Sequence, residues 1–256
     1  MTMTTGMRAA PRTSQLDRDV AMRLAATEYE RFAQQLESLS GADWQAPSGC
    51  PPWDVRMLAT HLLGMAEMAA SLREQRRQSR VAGRRAAERG GQFIDALTGL
   101  QVEEKMHLSP AEVISAYRAI APKAVRARRR TPGFIRRRAM PVSQRVNEVD
   151  EQWTIGFLVD VILTRDPWLH RIDIVRATGA EHVLTAEHDG VIVDDVVGEW
   201  AQRHGQPFSL RLTGAAGGFW AHGSGGPTYE LSVAEFCLAV SRRAPAEGLL
   251  ATEVPF

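Results

Sequence analysis

The chain has 256 residues, 44% of them hydrophobic and 24% charged, with 31 basic residues against 30 acidic ones. That length buries a substantial core in one large domain or two smaller ones, and so even a charge balance excludes a chain-wide electrostatic pull towards nucleic acid or an anionic membrane. Two cysteines make no disulfide framework, no run of about 18 apolar residues offers a membrane span, and the opening MTMTTGMRAAPRTSQ lacks the apolar core of a secretory leader, so a cytoplasmic location is predicted.

The first dozen residues are expected to be disordered. From about residue 14, Met22, Ala25, Tyr29, Phe32, Leu36 and Leu39 recur every three or four positions, which predicts a long helix ending near Gly41. After ADWQAPSGCPP, Asp54 is the expected N-cap of a second helix with an inner face of Leu58, His61, Leu62, Met65, Met68 and Leu72. The basic stretch over 73–89 carries few large apolar side chains and reads as solvent-facing. Ser109, Pro110 and Glu112 form a capping box that opens a third helix, striped by Val113, Tyr117, Ile120 and Ala124. The arginine-rich run RARRRTPGFIRRR, 126–138, also reads as solvent-facing. A fourth helix is predicted from Trp153 to Ala177, closed by Gly179.

Four such helices predict a mainly α protein with a four-helix bundle over 1–180. Beyond Gly179, a helix near DDVVGEWAQRHG, three β-forming stretches (FSLRLTG, GFWAHG, TYELS) and a helix at VAEFCLAVSRR predict a small α+β domain over 181–256.

Asp166, His170 and Asp173 fall on one stripe of the fourth helix, and His61 stands on the apolar face of the second. Asp166 and His170, four residues apart, can bite one metal ion; with His61 facing the same interior, three ligands would leave a divalent ion an open position, the pattern of a catalytic zinc site. Two simpler readings stand beside it. A histidine on an apolar face is often a core residue bonded to a carbonyl, and Asp166, just before Pro167, could cap a restarted helix. Cys50, just ahead of the second helix, is placed to approach such a metal, but a small buried thiol is the preferred reading. His107, His182, His188, His204 and His222 have no site-like spacing, and the glycine-rich TGAAGG and HGSGGP lack a phosphate-loop context.

SGCPPWDVRMLATHLLGM and RDPWLHRIDIVRATG resemble the two metal-ligand segments of the mycothiol-dependent maleylpyruvate isomerase N-terminal family, a branch of the DinB-like four-helix bundles of actinobacteria. The closing GLLATEVPF and the α+β stretch before it resemble that family's sterol-carrier-like C-terminal domain. The resemblance implies His61, His170 and Asp166 as metal ligands, although the family's isomerases carry Glu where this chain has Asp166. It implies a divalent metal, most naturally zinc, and mycothiol as thiol cosubstrate, with S-transfer to a small electrophile or thiol-assisted cis/trans isomerisation as the reaction. Arg165, Arg171 or an arginine of the 126–138 run would then be available to clamp a substrate carboxylate. The rival expectation is a non-catalytic small-ligand-binding protein of the same fold. Nucleic-acid binding rests on the arginine run alone, without a reading motif.

Overall fold

The computed structural model describes residues 10–256. Of the dozen residues expected to be disordered, 1–9 lie outside the described residues. Arg12, by contrast, is fixed: its amide donates to the Gln152 carbonyl at 2.8 Å, its carbonyl accepts from Thr154 N at 2.9 Å, and its Nε donates to Glu151 at 2.7 Å. Among the described residues no helix is long and apolar enough to cross a membrane.

Four helices surround one of the hydrophobic cores. Helix α1 (Arg18–Ser38) is capped by the Asp17 carboxylate, which accepts from Asp19 N and Val20 N, and α2 (Val55–Ala70) by Asp54, which accepts from Met57 N. The sequence-predicted Leu72 is not on α2: Ser71 leaves the helical region and caps the next helix, so Leu72 is exposed there. Helix α3 (Leu72–Arg89) and α4 (Phe93–Lys105) form a hairpin laid against α2. The 73–89 segment is therefore only partly solvent-facing, because Gln78 and Ala82 are fully buried. Helix α5 (Pro110–Arg130) opens with the predicted capping box, in which Ser109 and Glu112 exchange bonds, and α6 (Gly133–Arg136) is a single turn.

Strands β1 (Gln144–Val146) and β2 (Val149–Glu151) form a short hairpin. Asn147 and Glu148 turn it with φ of 49° and 62°, the left-handed pair a two-residue turn needs to match strand twist. The predicted fourth helix is three pieces: α7 (Ile155–Phe157), a π-helical segment Leu158–Ile162, and α8 (Leu163–Thr178), ended by Gly179 in the left-handed conformation. Helices α1, α2, α5 and α8 enclose Phe32, Leu36, Leu58, Leu62, Tyr117 and Ile174.

After Gly179 come α9 (Val191–His204), β3 (Phe208–Thr213), β4 (Gly218–His222), β5 (Thr228–Ser232) and α10 (Val233–Val240). The sheet order is β4-β3-β5, with β3 antiparallel to β4 and parallel to β5. Its inward side chains, Phe208, Leu210 and Leu212, meet Trp200 and Phe236, and the same core continues into Leu24 of α1 and Trp168, Leu169 and Ile172 of α8. The final residues return to α8, where Phe256 stacks on Trp168 and Pro255 O accepts from Arg165.

Candidate metal centre

The path of α8 is set by two interruptions. In the π segment Leu163 N–H reaches back to the Leu158 carbonyl, which leaves Val159 O without its usual donor; Pro167 has no N–H for Leu163 O. Arg128 fills both gaps. Its Nε donates to Val159 O at 2.8 Å, one Nη to Leu163 O at 3.0 Å, and the other to Thr164 Oγ1 at 2.6 Å. Arg128 is thus a buried strut rather than a solvated charge, and Arg136 is likewise buried, paired with Asp160. Arg126, Arg129, Arg130, Arg137 and Arg138 are exposed as the sequence suggested.

So supported, α8 turns Asp166 and His170 towards α2. Asp166 Oδ1 lies 3.3 Å from His170 Nε2 and 3.7 Å from His61 Nε2, and the two imidazoles meet edge to face with centroids 5.6 Å apart. The helix-cap reading of Asp166 is not what the backbone shows: α8 begins at Leu163, and no backbone amide among the described residues donates to this carboxylate. Both outer ring nitrogens are occupied. His170 Nδ1 faces Asp173 Oδ2 at 2.9 Å and His61 Nδ1 faces Gln101 Oε1 at 2.8 Å, so each Nε2 is left for the shared interior. Trp53, 5.4 Å from His61 by ring centroids, covers one side.

The electrostatics follow from this crowding. Burial works against an ionised Asp166, yet the imidazoles beside it, His170 above all, outweigh it and hold the carboxyl far below the usual carboxylate range. Burial and Arg243 pull the other way on His170, but Asp166, Asp173 and Cys50 prevail and its pKa is pushed up to about 10.

The donor set fits a divalent transition metal. Two imidazole nitrogens and a carboxylate oxygen lie within 4.8 Å of one another, and donors around a tetrahedral ion with bonds of about 2.0–2.1 Å are separated by about 3.3 Å, close to the two distances here.

Arg165 and Arg171 do not reach this interior. Arg165 is buried between Asp195 and Glu199, both at 2.6 Å, and Arg171 between Glu28, Asp189 and the Val183 carbonyl. Each guanidinium is spent on tying α8 to the C-terminal elements, which takes both out of contention as substrate clamps. The cation the sequence did not single out is Arg243, just after α10, whose Nη1 is 3.2 Å from Asp173 Oδ2 and which lines an open cavity of about 470 Å³ with Arg242, Ala244 and Pro245.

Cys50 is half-buried rather than buried, with Sγ 3.5 Å from Asp173 Oδ2 and 4.0 Å from His170 Nδ1. His188, without a sequence signal, is buried against Glu28 at 2.8 Å. That second acidic cluster is saturated, since Arg171 holds Glu28 while Arg31, Arg171, Trp168 and Thr185 hold Asp189. Asp173 was legible as the i+3 neighbour of His170; Gln101 had no local signal.

A model of the family described as mycothiol maleylpyruvate isomerase N-terminal domain matches residues 25–175. No curated protein matches the chain. Two similar solved structures are that of the mycothiol-dependent maleylpyruvate isomerase, 15% identical with a TM-score of 0.57, and that of its histidine-to-alanine mutant, 14% identical with a TM-score of 0.56. Each alignment covers 91% of this chain and 93% of the other. At such identities the likeness is one of fold, a helical part followed by an α+β part.

Proposed function

The chain belongs to the mycothiol maleylpyruvate isomerase N-terminal domain family across residues 25–175, and on that premise we propose that it is a metal-dependent enzyme that turns a low-molecular-weight thiol, mycothiol, on a small electrophile. The observation that carries the proposal is the convergence of His61 Nε2, His170 Nε2 and Asp166 Oδ1 on one buried point. Zinc suits imidazole and carboxylate donors, and when bound it supplies a Lewis acid that keeps a thiol ionised near neutral pH.

The remaining work falls to the chain. His61 and His170 would hold the ion through Nε2 and Asp166 would lend its charge, while Asp173 keeps the His170 ring in register. Trp53 packs beside the His61 ring. Arg243, beside the open cavity, is the cation we propose for a carboxylate of the electrophile, in place of Arg165 and Arg171. With an activated cis double bond, the thiolate sulfur adds to one carbon, the new single bond rotates, and the sulfur departs as the double bond re-forms. The thiol is then regenerated. With a leaving group on carbon, the sulfur stays and the group departs with the bonding pair, which is S-transfer.

The test is metal analysis of protein purified without chelator, followed by incubation with mycothiol and a panel of unsaturated acids and alkylating electrophiles, read by mass spectrometry and chromatography. About one zinc per chain and thiol-dependent isomerisation or adduct formation is the expected result. Metal-free protein that binds no added zinc and gives no thiol-dependent product would overturn it and favour a non-catalytic ligand-binding role.

A further inference from the structure

Behind His61 runs a chain of buried hydrogen bonds whose direction is fixed at its far end. Gln78 Nε2 lies 3.2 Å from the Gly64 carbonyl and 3.0 Å from Glu74 Oε1. A carbonyl only accepts, and Glu74, despite partial burial, is held ionised chiefly by its hydrogen bonds from Arg77, so it only accepts too. Gln78 must therefore turn its amide NH2 outward and its oxygen inward. That oxygen accepts from Gln101 Nε2 at 2.8 Å, which leaves Gln101 Oε1 to face His61 Nδ1 at 2.8 Å. With an acceptor on Nδ1, the His61 proton sits on Nδ1 and the lone pair sits on Nε2, the atom turned to Asp166. Flipping either carboxamide would set oxygen against oxygen in a region where Gln78 and Gln101 are both completely buried.

Gly64 makes room for this chain. It lies inside α2, where glycine is less favourable than alanine. A Cβ on it would stand 2.7 Å from both Cβ and Cγ of Gln101. The far end is secured by Arg77, which also binds Glu104 of α4 at 2.6 and 2.7 Å and so ties the two helices of the α3–α4 hairpin together.

We propose that the α3–α4 hairpin is the outer support of the metal centre, with Gln101 as a positioning residue that fixes His61 in its Nδ1–H form and Gly64 as the clearance that admits it. The inference rests on His61 being a metal ligand, and it gives the basic 73–89 segment a role in that site. His170 is oriented by a carboxylate, Asp173, and His61 by a neutral amide, Gln101. The two ligands are thus supported by independent means, one from its own helix and one from α4.

The probe is zinc alone, titrated against a competing chelator into the metal-free full chain of the wild type, Gln101→Met and Gly64→Ala. Gln101→Met keeps the volume and removes the acceptor; Gly64→Ala keeps the acceptor and displaces it. Outer partners of this kind change metal affinity by about 10- to 100-fold, and a loss of that size is expected in both variants. In zinc-loaded wild type the His61 Nδ1 proton should appear by nitrogen-edited NMR as a slowly exchanging resonance, and it should be lost to exchange in Gln101→Met. Should Gln101→Met fail to fold, as judged by circular dichroism, Gly64→Ala decides the matter. Wild-type zinc affinity in the folded variants, with the proton still protected, would overturn this inference and leave the metal site standing. A wild type that binds no zinc would overturn both.

Discussion

Replacing Arg128 by Met should destabilise the protein and loosen the metal centre together. The side chain is almost fully buried, and its three bonds, at 2.6 to 3.0 Å, hold the Val159 and Leu163 carbonyls and the Thr164 hydroxyl. Met fills a similar volume but donates nothing, so the two carbonyls freed by the π segment and by Pro167 lose their donor. At about 1–3 kcal/mol for each of the three groups left without this donor, the two carbonyls and the Thr164 hydroxyl, the gross loss is about 3–9 kcal/mol. Part of it returns, because no carboxylate among the described residues pairs with Arg128 and a desolvated charge is removed with it. A net loss of about 2–4 kcal/mol is expected, read from the urea midpoint at unchanged m-value. Since Asp166 lies between Thr164 and Pro167 on the backbone that Arg128 braces, zinc affinity measured by chelator competition should fall as well. A stability loss below about 0.5 kcal/mol, within the range of an ordinary surface change, would refute the strut argument. Unchanged zinc affinity in a destabilised variant would refute its link to the site.

His61→Ala and His170→Ala should each strip the metal, as measured by elemental analysis, and full occupancy in the double variant would end the site proposal. Asp166→Glu should retain part of the zinc affinity because the charge is kept, whereas Asp166→Asn should lose most of it with little change in metal-free stability; the reverse order in a calorimetric titration would remove Asp166 from the ligand set. Asp189 supplies a pH prediction: burial opposes its ionisation, but the Thr185 amide, Arg171, Trp168 and Arg31 outweigh it and lower its pKa. Its contribution is therefore present above the unfolded value of about 3.9 and is lost as the pH falls from there through the lower folded pKa, so Asp189→Asn should flatten the acid limb of the urea midpoint against pH. The exposed Arg126, Arg129, Arg130, Arg137 and Arg138 should give weak nucleic-acid binding that fades steeply between low and physiological salt in a fluorescence titration; tight, sequence-selective binding would contradict the reading.

What the sequence determined by itself were the features written in local periodicity and caps. The spacing from Met22 to Leu36, Asp54 ahead of α2, the Ser109–Glu112 box and Gly179 after α8 each act within a turn or two, so the four bundle helices could be read directly. The i,i+4 pair of Asp166 and His170, with Asp173 one turn on, was legible for the same reason. Tertiary structure decided the rest. Helix α3 was hidden because its surface is mostly charged and only Gln78 and Ala82 enter the core. Gln101 then became a partner of His61 through packing across 40 positions. Arg128, Arg165 and Arg171 looked like solvated or substrate-binding cations, since a sequence carries no record of which carbonyls a π segment or a proline leaves unpaired, nor of which carboxylates a later domain brings up. Burial turns such a charge into a strut when its fork is fully bonded, and full bonding depends on groups far away in the chain.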